Sequence, residues 1–465
     1  MSYSSQPYEI IIVGAGAFGL STALHLLRQG VAPSAVLLLD SQPFPSIDAA
    51  SNDTSRAVRV DYGDQFYVKL AQRTIKAWRD DPVFRPHYHE CGRLHAAIPG
   101  DRHGTTVRKN LRALGIETTD LQSGKERGSL SERYPGLNGR MDRWDLYFTP
   151  VGGWAHPRDA LIAGMAEYQR LGGEFIGDTH HGRVVGNIMQ GGRVEGVRTA
   201  DSSSRRASKV VYATGAFTHP SLLPGLNTQI HPTGFAVAHW RLTPEEQETW
   251  RNHPVVDLHH HGYFFPPDDT GLMKMGTGIM GFGHGSAQTK DARGKISAGV
   301  AVPRANSSLQ ASRHEDVGKI PAMAEQAIRW ILEQMCPSLV KKAIFDTKVC
   351  WDGMTPDGGW IIDQHPDISG LYVAAGGSGH GFKFLPIVGE WIIETLGLLH
   401  KGDVANRLDE NTKEEMRRKW AWGRPTNMEV HDPSVALQGR PVVDLETAMR
   451  TRGVDRRTPG VGAKL

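Results

Sequence analysis

Cysteine is scarce in this chain: Cys91, Cys336 and Cys350 are the only three in 465 residues. Their wide separation excludes a zinc pattern and a disulfide framework, and it fits a reducing compartment. An excess of one charge is also missing. Lys and Arg number 53 against 50 Asp and Glu, a net charge of +3. No basic run is interleaved with aromatics, so no nucleic-acid partner is expected. The 21 histidines contain no H-E-x-x-H spacing, and no metal site is expected. No apolar run reaches the roughly 18 residues a membrane helix needs, so no membrane association is expected. No basic segment precedes an apolar one at the N-terminus, so a signal peptide is not expected either. The length allows two domains, each with its own core.

The first thirty residues organise the rest. Tyr8 to Gly19 reads YEIIIVGAGAFG, followed by LSTALHLLRQG. Ile10 to Val13 suit a buried parallel strand. Gly14, Gly16 and Gly19 supply G-x-G-x-x-G, with Phe18 inside it. Leu20, Ala23, Leu24 and Leu27 then repeat at helical spacing. Strand, glycine turn and helix thus follow in the order a dinucleotide site requires. Gly14 permits the turn, Gly16 lets backbone approach a pyrophosphate, and Gly19 lets helix and strand pack closely. The anion sits at the helix N-terminus. A second strand, Ala35 to Leu39, ends at Asp40, placed about twenty residues on to hold a ribose hydroxyl.

Ser41 to Ser55 is turn-rich and includes Ser51, Asn52 and Asp53. Arg56 and Arg59 follow, three apart. If helical, they share one face, either a solvated basic one or one carried to the cofactor. Helices are predicted over Phe66 to Trp78, His103 to Leu114 and Pro157 to Leu171, with a short strand at Cys91 to Ile98. A β-meander is predicted from Glu174 to Tyr212, with a hairpin tip at Ser202 to Arg206. VVYATG at Val210 to Gly215 returns the chain to the nucleotide domain.

Ile230 to Leu242 and Val255 to Met275 read as strands of a second, largely antiparallel domain. Val317 to Met335 is its clearest helix. Lys342 to Cys350 is expected to return towards the first domain. Strands at Trp360 to Ile362 and Leu371 to Ala374, a glycine turn at Gly376 to Lys383 and a helix over Ile387 to Leu398 follow. The last 65 residues are polar and basic, with Trp420 and Trp422 as aromatic anchors, and read as a surface wrap rather than a core.

Four stretches together resemble the FAD-dependent amine oxidases: the opening glycines, Asn52-Asp53 before Arg56 and Arg59, CWDGMTPDGGWIIDQHP from Cys350, and GGSGHGFKF at Gly376 to Phe384. Monomeric sarcosine oxidase, the fungal fructosyl amino acid oxidases (amadoriases) and the saccharopine or pipecolate oxidases are the branches most resembled. The likeness spans roughly residues 8 to 400. It implies an α/β, two-domain (α+β) protein: a glutathione-reductase-like Rossmann domain for FAD and a mixed, largely antiparallel sheet domain for substrate. The FAD domain is expected at 1–95, 150–225 and 345–400, the substrate domain at 96–149 and 226–344, and a C-terminal surface extension at 401–465.

The resemblance also implies roles. Cys350, otherwise read as a buried free thiol, corresponds to the cysteine that carries FAD covalently through the flavin 8α carbon. Gly14, Gly16, Phe18, Gly19, Asp40, Ser51, Arg56, Gly379, Gly381, Phe382 and Lys383 are expected at the cofactor. Lys274 and Arg56 are the expected catalytic pair, with Lys274 promoting reaction with oxygen. Arg59 and Lys383 correspond to the pair that holds a substrate carboxylate, and Tyr263 is expected to line the pocket. The family's histidine four residues past the lysine is replaced by Gly278. Amadoriases carry lysine where Arg56 stands.

The activity implied is oxidation of a secondary amino acid, N-alkyl or cyclic, to an imine, with oxygen leaving as hydrogen peroxide. Ring closure of an N-methylated aromatic amino acid, saccharopine or pipecolate oxidation, fructosyl amino acid oxidation, and a flavin dehydrogenase with another acceptor are the alternatives. The terminal Ala463-Lys464-Leu465 resembles a peroxisomal address, read by an import receptor. A monomer in the peroxisome, otherwise in the cytoplasm, is expected. The consecutive His259, His260 and His261 have no assigned role.

Overall fold

The computed structural model of the chain describes residues 7–121, 129–226, 229–259, 261–284, 287–290, 296–300, 303, 320–398, 408–425 and 442–451. Two large sheets dominate them. In the first, Tyr8–Val13 lies between the parallel strands Val36–Asp40 and Ser204–Tyr212. Both faces of that central strand are covered, so Ile10, Ile11 and Ile12 are wholly buried, as a parallel sheet requires. The helix Ala17–Arg28 is buried from Ala17 to Leu27, because the helices Pro157–Arg170 and Val388–Leu396 both pack on it. Leu20 and Leu24 each contribute about 1.5–3 kcal/mol by leaving water.

The predicted meander is divided. Glu174–Gly177 pairs in parallel with Val36–Asp40 at one edge. Val184–Gln190, Arg193–Thr199 and Ser204–Tyr212 form the antiparallel part. The last of these is a long strand that, besides Tyr8–Val13, serves two neighbours. Ser204 to Arg206 pair with the hairpin, while Val210 to Tyr212 pair in parallel with Leu371–Ala375. Arg205 and Arg206 are therefore strand residues, not the hairpin tip.

The second sheet is built around His231–Arg241. It pairs with Leu272–Thr277 and with Asp346–Met354, both antiparallel. Its far side runs through Gly262–Phe264 and Val255–Leu258 to Arg93–Ala97 and Asp145–Thr149. The pairing of Val255–Leu258 with Arg93–Ala97 is parallel, so the sheet is mixed. The helix Ala322–Met335 lays Ile328, Ile331, Leu332 and Met335 onto the core of this sheet. Pro321 sets its start, which shortens the predicted helix; residues 317–319 lie outside the described ones.

Three further expectations change. Asp346–Met354 belongs to the second sheet, so the chain crosses back to the first only after Met354, not at 345. Arg93–Ala97 likewise places its strand in the second sheet. Arg56 is extended, in the strand Arg56–Val58 against Gly153–Ala155, so it and Arg59 do not share a helical face. The tail is not only a surface wrap. Met416 and Trp420 are wholly buried in the first core, with Trp420 at 5.0 Å from Trp360. Arg424 clamps Asp357 through two hydrogen bonds of 2.7 and 2.8 Å. Charged residues around these anchors dilute the apolar pattern, so Trp420 is legible in the sequence as an aromatic anchor but its place in the core is not.

Candidate active site

The opening turn has the shape its glycines suggest. Gly14 adopts a φ of +104°, and a Cβ there would meet the Ala213 carbonyl oxygen at 2.6 Å. A Cβ on Gly19 would overlap the Gly14 carbonyl. Gly16 is the N-cap of the helix, which has neither a side-chain cap nor an acid in its first turn. A Cβ on Gly16 would touch only Ser51 Oγ, at 3.5 Å. An uncapped helix start with room beside it suits a pyrophosphate. Asp40 closes the second strand and accepts from the Ala15 backbone N–H at 2.8 Å. Burial pushes its carboxyl above the ordinary value, against these backbone bonds. Phe18 stands edge-on to Trp360 at 5.1 Å and lies against Gly381. The turn carrying Gly379, Gly381, Phe382 and Lys383 therefore packs onto the opening one. These features fit FAD along the carboxyl ends of the first sheet.

A second constellation lies where the loop after Asp48 meets the other sheet. Strand alternation puts Lys348, Cys350 and Asp352 on one face. Lys348 donates to the Asn52 carbonyl at 3.2 Å. Arg56 reaches Cys350 Sγ at 2.9 Å and also bonds the Ala50 carbonyl. Cys350 is 6% exposed. Lys274, on the neighbouring strand Leu272–Thr277, is fully enclosed. It ion-pairs with Asp53 and donates to the Ser55 carbonyl at 2.8 Å. Burial, opposed by Asp53, pulls the Lys274 ammonium from 10.5 down to about 7. Burial opposes the charge of Asp53 too, but Lys274, Lys348 and Arg56 hold its carboxyl well below the usual range. Tyr263 sits across from Gly276, where a Cβ would meet its ring at 2.6 Å. Burial raises its phenol, while Arg56 opposes the shift.

The third group gathers at Tyr62. Lys383 Nζ donates to Tyr62 Oη at 2.7 Å and to the His380 carbonyl at 2.9 Å. Arg59 lies over the same ring, its Cζ 4.0 Å from the centroid. It also bonds the Asp61 backbone carbonyl and meets the Asp61 carboxylate at 3.3 Å. Asp61, His95 and Asp257 offer donor types that hold metals. Arg93 supplies positive charge there instead, 2.9 Å from Asp61 and 2.8 Å from Asp257.

The expected site residues thus fall into three neighbouring groups rather than one. Asp53 and Tyr62 carry much of the geometry but had no role in the sequence reading. Asp53 was visible only as part of a matched stretch, and Tyr62 lay in none. His259 pairs with Asp101 and stacks on His103 at 4.0 Å, which gives it a structural partner. His260 and Ala463 to Leu465 lie outside the described residues. No described helix is long and apolar enough to cross a membrane.

The chain is similar to known proteins over most of its length. The L-saccharopine oxidase of Schizosaccharomyces pombe is 29% identical, over 89% of this chain and 92% of its own. The peroxisomal sarcosine oxidase of Homo sapiens is 26% identical, over 85% of this chain and 93% of its own. The solved structure of fructosyl peptide oxidase from E. terrenum superposes with a TM-score of 0.81 at 26% identity, covering 98% of this chain and 100% of that one. The family described as FAD dependent oxidoreductase (DAO) matches residues 9–395. With the glycine cradle, the acid-ended second strand and the mixed second sheet all in place, this chain belongs to the FAD-dependent oxidoreductases of the DAO family, with amine and amino-acid oxidases among its relatives.

Proposed function

We propose that the enzyme oxidises a secondary amine that carries a carboxylate, with oxygen as the acceptor. The observation that carries this reading is the convergence of Arg59 and Lys383 on Tyr62. Two buried cations at one ring are costly unless anions join them. Asp61 is an anion that meets Arg59, and we read a substrate carboxylate as a further anion that both cations would draw. The names of the relatives support the class, since saccharopine, sarcosine and fructosyl peptides are all secondary amines bearing a carboxylate.

FAD, when bound, would supply the two-electron acceptor for the hydride next to nitrogen and the route by which those electrons reach oxygen. Overall, the amine loses that hydride and one N–H proton to become an imine. Oxygen gains two electrons and two protons and leaves as hydrogen peroxide. The protein's part is placement and charge. Arg59 and Lys383 hold the carboxylate and so orient the reacting C–H. Lys274 lends positive charge where negative charge develops on oxygen. Arg56 and Tyr263 line the side towards Cys350, which we assign as the covalent attachment point of the flavin. Gly14, Gly16, Gly19, Asp40 and Ser51 hold the nucleotide. Peroxide as a product makes a peroxisomal location sensible, and the human relative carries that location in its name. Loss of peroxisomal targeting on removing Ala463 to Leu465 tests it.

An aerobic screen with peroxide detection tests the main reading. It spans sarcosine, pipecolate, saccharopine, N-methyl-tyrosine and fructosyl-valine, each beside a descarboxy analogue where one exists. At least one acid is expected to give peroxide and its analogue far less. Equal turnover of acid and analogue removes the carboxylate from the reading.

A further inference from the structure

Lys274 shares its enclosure with two other cations. Lys348 approaches Asp53 Oδ1 at 3.3 Å, Arg56 approaches Asp53 Oδ2 at 3.1 Å, and Lys274 bonds the same Oδ2. One carboxylate, with no solvent exposure of its side chain, therefore meets three positive groups. The other surroundings of Lys274 are poor in negative charge. From the strand His231–Arg241 it faces His239, whose ring burial holds at about 4, and hence neutral near pH 7. His239 in turn meets Thr54 at 3.1 Å and Asp346 at 3.9 Å. From Asp346–Met354 come Lys348, Cys350 and Asp352, and burial pushes the Asp352 carboxyl up, against Arg56. From Gly262–Phe264 and the residue beyond come Tyr263 and the Phe265 ring, 5.5 Å from Lys274 Nζ. Asp53 is the acid in this cluster whose charge is held firmly.

We propose that Asp53 is a positioning residue for oxygen reduction: its carboxylate fixes the Lys274 ammonium and keeps it charged against Lys348 and Arg56. The inference rests on the reading of Lys274 as the cation that serves oxygen. The argument is electrostatic. A buried ammonium beside two cations sheds its proton unless a nearby anion offsets both burial and repulsion. Asp53 supplies that offset from the loop of one sheet to a strand of the other. The ammonium lowered to about 7 sits close to neutrality even with Asp53 in place. Removing the negative charge lowers it further, and removing the Lys348 charge raises it.

The test uses holoenzyme. Substrate reduces it anaerobically, it is mixed with oxygenated buffer, and reoxidation is followed across pH in wild type, Lys274→Met, Asp53→Asn and Lys348→Met. A charged Lys274 speeds reoxidation, so the wild-type rate falls as pH rises through its titration. Asp53→Asn is expected to move that fall to lower pH by at least about one unit, about tenfold in the charged population at a given pH. Lys348→Met is expected to move it the other way. Anaerobic reduction should change little in both. A second readout is thermal stability. Asp53→Asn leaves three cations unbalanced and lowers Tm, and Lys274→Met added to it should restore part of the loss. Reoxidation unaffected by Lys274→Met removes the oxygen role and the inference with it. Slowed reoxidation in Lys274→Met, with Asp53→Asn and Lys348→Met profiles lying on the wild-type curve, overturns the inference alone. If Asp53→Asn fails to fold, Asp53→Ser takes its place, with the same downward shift expected and the same wild-type profile overturning the inference.

Discussion

Arg56 Nη2 lies 2.9 Å from the Sγ of Cys350, although the two residues come from different sheets. This contact places the thiol beside a half-buried cation at the junction of the two sheets. Acid-precipitated wild-type protein should stay yellow, and Cys350→Ala should give a colourless pellet. Complete loss of colour from the wild type on denaturation rejects the covalent bond.

Tyr62 joins the two cations assigned to the carboxylate. Tyr62→Phe removes the hydroxyl that Lys383 uses, a bond to a charged group worth about 1.5–3 kcal/mol. KM for the acid substrate is expected to rise, with less effect on kcat. Arg59→Met should penalise the acid and barely alter its descarboxy analogue. Steady-state kinetics on both substrates decides, and an equal penalty on the two would show that Arg59 serves only Asp61.

Gly19→Ala should abolish tight flavin binding. Its methyl group would overlap the Gly14 carbonyl, so the helix must move away from the strand. Flavin content after purification and a urea titration report the result. Normal flavin content at wild-type stability would refute the close-packing role.

Acid should weaken the fold between pH 6.5 and 4. Burial holds His25, His239 and His253 each at about 4, against an ordinary 6.5. His253 Nε2 accepts from the Gly136 backbone N–H at 3.0 Å, a bond that protonation breaks. The unfolded chain takes up these protons near 6.5, whereas the folded chain does so only near 4. Stability is thus full above the unfolded value and falls as pH drops through that window, at up to about 1.4 kcal/mol per unit per histidine. Urea midpoints at pH 7, 5.5 and 4.5 check it; a flat series contradicts the burial argument.

Trp420→Ala should destabilise the first domain by about 3–5 kcal/mol, since it empties a packed aromatic site. Deleting the tail before Asp409 should cost at least as much. A truncated protein with unchanged Tm would return this segment to the surface.

Much of the nucleotide half was legible in the sequence, because its signals are local. Gly14, Gly16 and Gly19 must follow a strand and open a helix, and that order can be read within twelve residues of chain, Tyr8 to Gly19. Helices such as Gln65–Asp80 and Pro157–Arg170 were legible for the same reason, their apolar spacing and end signals lying inside the element. Strand membership was less so. Glu174–Gly177 looks like the first strand of a meander, yet it joins the opposite edge of the sheet. Nothing in its own residues separates those two partners.

The sequence by itself determined the dinucleotide turn, the two-domain class, the absence of a long apolar span and which side chains were candidates for the site. Only the tertiary structure decided how those side chains are charged and paired. Asp53 and Lys274 are 221 positions apart, and Tyr62 and Lys383 are 321 apart. The meeting of each pair depends on how a loop of one sheet settles against a distant segment. Burial then sets the energetic weight of each charge, and burial belongs to the assembled fold, not to any stretch of chain.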